Sequence, residues 1–132
     1  MKYLGIDYGT KRTGVAISND EASVAVLKET IEAESQDEVV LRLKEIVAED
    51  KVEAIVIGLP VNMEGESTEM TEQVERFIEK LRNHVEVPVQ TTDERLTSEM
   101  AGKLLRGVKK EERDQVAAQI LLQNFLDQLQ TE

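Results

Sequence analysis

The chain has no cysteine among its 132 residues. That absence excludes a disulfide framework, a thiolate metal site and a cysteine nucleophile together. Histidine is almost as scarce: His84 is the one copy, placed after an expected helix end, where a solvated loop residue is the simpler reading than a catalytic base. No stretch approaches the ~20 apolar residues that span a bilayer. The chain also enters its first strand without the charged and apolar segments of a secretion signal. The expectation is a cytoplasmic protein with no membrane contact. A basic excess is missing too, since 16 Lys and Arg face 27 Asp and Glu for a net charge of −11. Phosphate backbones favour basic surfaces, so this balance counts against tight non-specific binding of nucleic acid. The deficit is uneven, however. Residues 20–50 are rich in acids, whereas 95–113 contains Arg95, Lys103, Arg106, Lys109, Lys110 and Arg113 against Glu99, Glu111 and Glu112. An acidic protein of this kind can carry one basic face.

The length fits one domain with one core, and residues 1–132 show no repeat, low-complexity stretch or linker. Apolar patterning predicts strands over Lys2–Asp7, Thr13–Ser18 and Ser23–Glu29, with a turn at Asn19-Asp20. Val39, Leu43, Ile46 and Val47 lie at helical spacing within Ser35–Asp50, and Ser35 with Glu38 reads as a capping box. Glu53–Gly58 is a short apolar strand of the kind buried on both faces. A loop over Leu59–Ser67, a helix over Thr71–Asn83 and a strand over Val85–Thr91 follow. Leu96–Arg106 and Glu111–Leu129 are expected helices separated at Gly107. A meander followed by alternating helices and strands implies a mixed α/β sheet with helices on its faces.

Ligands in such sheets gather at the carboxyl ends of the parallel strands. Asp7 ends the first strand beside a glycine-bounded turn that carries Lys11 and Arg12, and Asp93-Glu94 follows a later strand. Asp7 alone also reads as a turn-initiating residue. Asp114 shares the i, i+4, i+7, i+11 stripe of Ala118, Leu121 and Phe125, which should face the sheet. A first-turn acid favoured by the helix dipole is the plainer account of Asp114. The alternative is that a cation gathers Asp114, Asp7 and Glu94, because crowded carboxylates otherwise repel. Such a set of oxygens suits a hard divalent ion such as magnesium. Two ions about 4 Å apart could clamp the attacking water and the leaving oxygen of a phosphodiester. Gly58-Leu-Pro60, with Asn62, Met63 and Gly65, is either a strand exit or a wall of that site.

Four segments together resemble a known family. Gly5-Ile-Asp-Tyr-Gly-Thr-Lys-Arg-Thr-Gly-Val-Ala16, Gly58-Leu-Pro-Val-Asn-Met-Glu-Gly65, Asp93-Glu-Arg-Leu-Thr97 and Asp114-Gln-Val-Ala-Ala-Gln-Ile-Leu-Leu-Gln123 are similar, in order, to the signatures of the YqgF family. That family is also called RuvX, or pre-16S rRNA nuclease. The resemblance implies a ribonuclease H-like fold with sheet order 3-2-1-4-5, related to RuvC-type Holliday junction resolvases. It implies phosphodiester hydrolysis with Mg²⁺ or Mn²⁺, and maturation of the 5′ end of 16S rRNA, with precursor ribosomal particles as partners. Transferred by motif, the catalytic and metal-binding acids are Asp7, Glu94 and Asp114, with Asp93 outside the set, and Lys11, Arg12 and Arg95 contact nucleic acid. One departure is the loop before the last acid, Arg106-Gly-Val-Lys-Lys-Glu-Glu-Arg-Asp114, whose Glu111 and Glu112 dilute the usual basic charge.

Three rival readings stay open. A resolvase of branched DNA would need two sites related by two-fold symmetry and hence a homodimer, where a monomer suffices for the RNA reading. Glycine turns after a first strand also occur in actin-like sugar kinases and ATPases, although those close two such domains around ATP. A metal-free binding module for RNA or protein, its acids relics, is the last.

Overall fold

The computed structural model describes residues 1–60, 68–94 and 106–130, with the side chain of Glu94 outside that description. Strands β1 (Tyr3–Asp7), β2 (Arg12–Ser18) and β3 (Ala25–Glu32) come first. Helix α1 (Gln36–Glu49), strand β4 (Ala54–Pro60), helix α2 (Glu69–Arg82) and strand β5 (Val89–Glu94) follow. A short 3-10 turn (Lys110–Glu112) leads into α3 (Arg113–Gln130). The strands form one sheet in the order β3-β2-β1-β4-β5. The meander β1–β2–β3 is antiparallel, and β1–β4 and β4–β5 are parallel. This is the mixed sheet expected from the patterning, with the strand order that the family resemblance implied. Among the described residues no helix is long and apolar enough to cross a membrane.

Local chemistry accounts for most boundaries. The β2–β3 turn is organised by Asn19, whose side-chain oxygen accepts from the Ser23 and Val24 N–H groups. This is the habit that makes Asn a turn residue. Ser35 caps α1 by accepting from the Glu38 N–H at 3.3 Å, the Ser35 half of the expected capping box. Helix α2 begins two residues earlier than expected, because Thr68 rather than a later residue is its cap. Thr68 and Thr71 bond each other's N–H reciprocally, and the Thr71 hydroxyl also donates to the Pro60 carbonyl. The last strand starts at Val89 instead of Val85, since Pro88 has no N–H for a ladder and serves only as an acceptor, for Ile55. It then runs on through Glu94, so Asp93 and Glu94 are the end of the strand and not a loop after it. Strand β3 likewise extends to Glu32, and β4 to Pro60. The expected helix over Leu96–Arg106 lies outside the described residues. Gly107 takes φ +81°, a left-handed conformation suited to a break before α3.

The two faces of the sheet differ in kind. Leu4, Ile6, Val15, Ile55 and Ile57 point to α1 and α2, where they meet Leu43, Ile46, Phe77 and Leu81. Burying each such side chain contributes roughly 1.5–3 kcal/mol. Tyr8 belongs to this face and stacks on Phe77 at a ring separation of 4.4 Å. The opposite face is built from small groups, Gly5, Gly14, Ala16 and Ala54, against Ala118, Leu121, Leu122 and Leu126 of α3. A Cβ on Gly5 would lie 2.6 Å from the Leu122 Cβ, so the helix rests almost on the strand backbone. Glutamines secure it there. Gln123 accepts from the Ala25 N–H at 2.9 Å, and Gln119 donates to the Ala25 carbonyl at 3.0 Å.

Away from this face, Arg42 forks onto both oxygens of Glu29, at 2.7 and 2.9 Å, tying α1 to β3. The hydrogen bond from Arg42 holds the Glu29 carboxyl below its ordinary value of 4.5. A depressed folded-state pKa adds stability above the unfolded value and loses it as pH falls through the folded value. Both groups are about one-third exposed or less, so the gain is about 1 kcal/mol at most. Urea denaturation should therefore find Glu29→Gln less stable than the unsubstituted protein at pH 7, with the difference shrinking as pH drops below 4.5. A gap that persists at pH 3 would assign the loss to packing instead.

Candidate active site

Directly paired residues of neighbouring strands share a face, and alternate residues of one strand do too. Asp7 is two residues beyond Gly5 and pairs with Gly14. Since a Cβ on either glycine would run into α3, Asp7 belongs to the α3 face at the carboxyl end of β1. Its neighbour Tyr8 is held on the other face by Phe77, which fixes that alternation at the strand end. Asp114 arrives from the opposite direction. A Cβ on Gly14 would fall 1.8 Å from the Asp114 carbonyl oxygen, so the first turn of α3 lies directly on the residue paired with Asp7. The sheet and the helix thus bring Asp7 and Asp114 to one corner.

Position 94 reaches the same edge of the sheet through β5. Extending the Ile6–Ile57 pair by one step sets Asp7 level with Gly58, which pairs with Thr92. Glu94 pairs with Pro60, two residues further along, and has the strand parity of Gln90 and Thr92. Those two are matched to Val56 and Gly58, and Val56 is in the α3 core. Asp93 has the parity of Val89, a member of the α1/α2 core. The register therefore separates Asp93 from the face that carries Asp7. Among the described residues no three His, Cys, Asp or Glu side chains form a metal-binding group. The expected third acid has only its backbone in that set.

The basic residues fall into two kinds. Lys11 is exposed in the β1–β2 turn, and its carbonyl accepts from Ala33. Arg12, expected from sequence to contact nucleic acid, is joined in this structure to Asp114, its Nε donating to Oδ2 at 3.2 Å. Hydropathy and spacing gave no sign of this pair, whose members are 102 positions apart. Arg95, Asn62, Met63 and Gly65 lie outside the described residues. His84 sits where expected, exposed after α2, with Nδ1 2.8 Å from the Lys80 carbonyl. It precedes β5 and so lies at the opposite edge of the sheet from the acids.

Arg12, Thr30, Glu32, Lys110, Glu111 and Asp114 line an open cleft of about 240 Å³. This is smaller than the roughly 300–1,000 Å³ that encloses a small-molecule ligand, and suits one group of a longer chain passing across it. The Thr30 hydroxyl oxygen is buried with no hydrogen-bond partner among the described residues. Thr10, Lys11, Arg12, Glu32, Glu34 and Glu38 line a second cleft of about 730 Å³, which shares Arg12 and Glu32 with the first. Both clefts set three acids against two basic residues. Exposed Arg106, Lys109, Lys110 and Arg113 make the approach to α3 the more favourable one.

A family model described as RuvX, Holliday junction resolvase, matches residues 1–128. The chain belongs to the RuvX family. A Chloroflexus aggregans relative is 43% identical over 130 residues, covering 94% of this chain and 92% of its own. One from Orientia tsutsugamushi is 43% identical over 133 residues, covering 96% and 84%. One from Rickettsia africae is 39% identical over 132 residues, covering 96% and 86%. Each carries the name "Putative pre-16S rRNA nuclease". This RuvX chain is accordingly an enzyme that hydrolyses phosphodiester bonds.

Its fold is also that of solved resolvases. Thermus thermophilus RuvC in complex with a Holliday junction superposes with a TM-score of 0.63 at 18% identity, covering 99% of this chain and 97% of that one. The Fowlpox virus resolvase bound to Holliday junction DNA gives 0.60 at 9% identity, covering 98% and 99%. The architecture is ribonuclease H-like.

The contact at Gly14 is the most constrained point of the site. Gly14→Ala should destabilise the protein by about 1–3 kcal/mol or more, because backbone atoms have to move. Chemical denaturation measures this, and wild-type stability in the variant would show that α3 does not press on β2 there.

Proposed function

We propose that this RuvX-family nuclease is a metal-dependent endonuclease that processes the 5′ side of pre-16S rRNA during ribosome biogenesis. The observation that carries the catalytic part is the meeting of Asp7 and Asp114 on the α3 face, against Gly14. Their donors are carboxylate oxygens without nitrogen or sulfur, which fits Mg²⁺ or Mn²⁺. Asp7 and Asp114 would hold the cation, with Glu94 from the end of β5 as the third acid. When bound, such an ion acidifies water and neutralises charge developing on phosphate oxygens. Relatives about two-fifths identical over nearly the whole chain support the RNA substrate.

The chain's own groups have separable tasks. Asp7 and Asp114 sit on rigid elements, so their carboxylates need little reorganisation before reaction. Lys11, Arg12 and Arg95 would take phosphate oxygens, and Lys109, Lys110 and Arg113 would steer the backbone toward the cleft. Precursor ribosomal particles are the natural setting for that substrate. Branched DNA is the second reading, favoured by the family's description as a Holliday junction resolvase.

Cleavage of a pre-16S 5′ fragment and of a four-way junction, side by side with Mg²⁺ or Mn²⁺, discriminates the two. RNA should be cut preferentially, and Asp7→Asn, Glu94→Gln and Asp114→Asn should each lose at least about 100-fold in rate, the scale of one essential catalytic group. Wild-type rates in all three folded variants would sink the acid site. Cleavage of the junction alone would transfer the reading to DNA.

A further inference from the structure

The Arg12–Asp114 ion pair bears on how the site is loaded, provided that Asp114 is the cation ligand proposed above. We propose that the Arg12 guanidinium is a resident counter-ion of Asp114 that a divalent cation displaces on binding. The contact is a single one, Nε to Oδ2 at 3.2 Å, with Arg12 58% and Asp114 31% exposed in their side chains. Solvated pairs of this geometry hold weakly. Asp114 does not depend on it for placement, because its backbone is already pressed against Gly14. What the guanidinium supplies is positive charge at a carboxylate that otherwise stands near another acid.

A guanidinium and a divalent ion repel, and they compete for the same carboxylate. Arg12 has somewhere else to go. Its backbone is fixed opposite Glu32 at the start of β2, and Glu32 and Lys110 line the same cleft. Turned away from Asp114, the guanidinium stays in the cleft where a phosphate of the substrate would pass. Cation and nucleic acid then favour each other, since each is helped by opening the same pair. Arg12 is by this account a counter-ion of Asp114 in the free enzyme, and a phosphate contact only in the loaded one.

The test is Mn²⁺ titration of the full chain without nucleic acid, following free Mn²⁺ by electron paramagnetic resonance, with circular dichroism as the check on folding. Arg12→Gln should bind Mn²⁺ about tenfold more tightly than the unsubstituted protein, the scale of water-screened repulsion between a divalent ion and a nearby unit charge. Asp7→Asn and Asp114→Asn should bind more weakly, and Arg12→Gln should give no gain when combined with Asp114→Asn. Unchanged or weaker binding by Arg12→Gln, while the acid variants lose affinity, overturns the counter-ion and leaves the metal site standing. A gain that persists beside Asp114→Asn also overturns it, because the effect is then not exerted through that carboxylate. Acid variants that bind as the unsubstituted protein does would remove the metal site itself, and the proposal with it.

Discussion

Almost everything at the corner proposed as the active site depends on how closely α3 approaches the sheet. Two glycines set that distance. At Gly5 the helix comes within contact of strand backbone through Leu122, and at Gly14 its own main chain takes the space of a side chain. With larger residues there, the first turn of α3 would ride higher and its acid would stand away from the strand that carries Asp7. The same closeness explains the alanines of this core, Ala16, Ala54 and Ala118 among them, where the α1/α2 core has isoleucine, leucine and phenylalanine. One face stores the bulk of the apolar burial, and the other trades volume for proximity.

Charge is arranged on a similar principle. Part of the net −11 lies away from the site, as at Glu45 and Glu49 of α1 beside the Arg42–Glu29 fork. Near the carboxyl edge of the sheet, positive groups flank the acids on the α3 side. Association with a polyanion is governed by the local field more than by the total. A strongly acidic protein can therefore work on nucleic acid, and its distribution of charge narrows the direction of approach.

Much of this was legible in the sequence, and the reasons are physical. Strand and helix identity followed from apolar periodicity, and the inward register of Asp114 followed from its place on the Ala118–Leu121 stripe. Boundaries were less legible where the choice among neighbouring caps or a missing N–H decided them: Thr68 capping α2 through Thr71, and Pro88 delaying β5. The Arg12–Asp114 pair was invisible, because helical or strand spacing says nothing of contacts 102 positions apart. The glycines read as turn formers, yet Gly14 is needed for what lies above it. Gln119 and Gln123 belonged to a family-like segment without an evident task, and their partner is the backbone of Ala25.

That glutamine clasp joins the final helix to the opening meander across 98 and 94 positions of chain. Contacts of such separation close late, once most of the loop entropy has been spent. During synthesis, a ribosome-tethered chain that has not yet released residues 113–130 has the sheet strands but neither Asp114 nor the helix that covers Gly5 and Gly14. The corner that carries Asp7 is completed only when α3 has been released and has docked on Gly5 and Gly14.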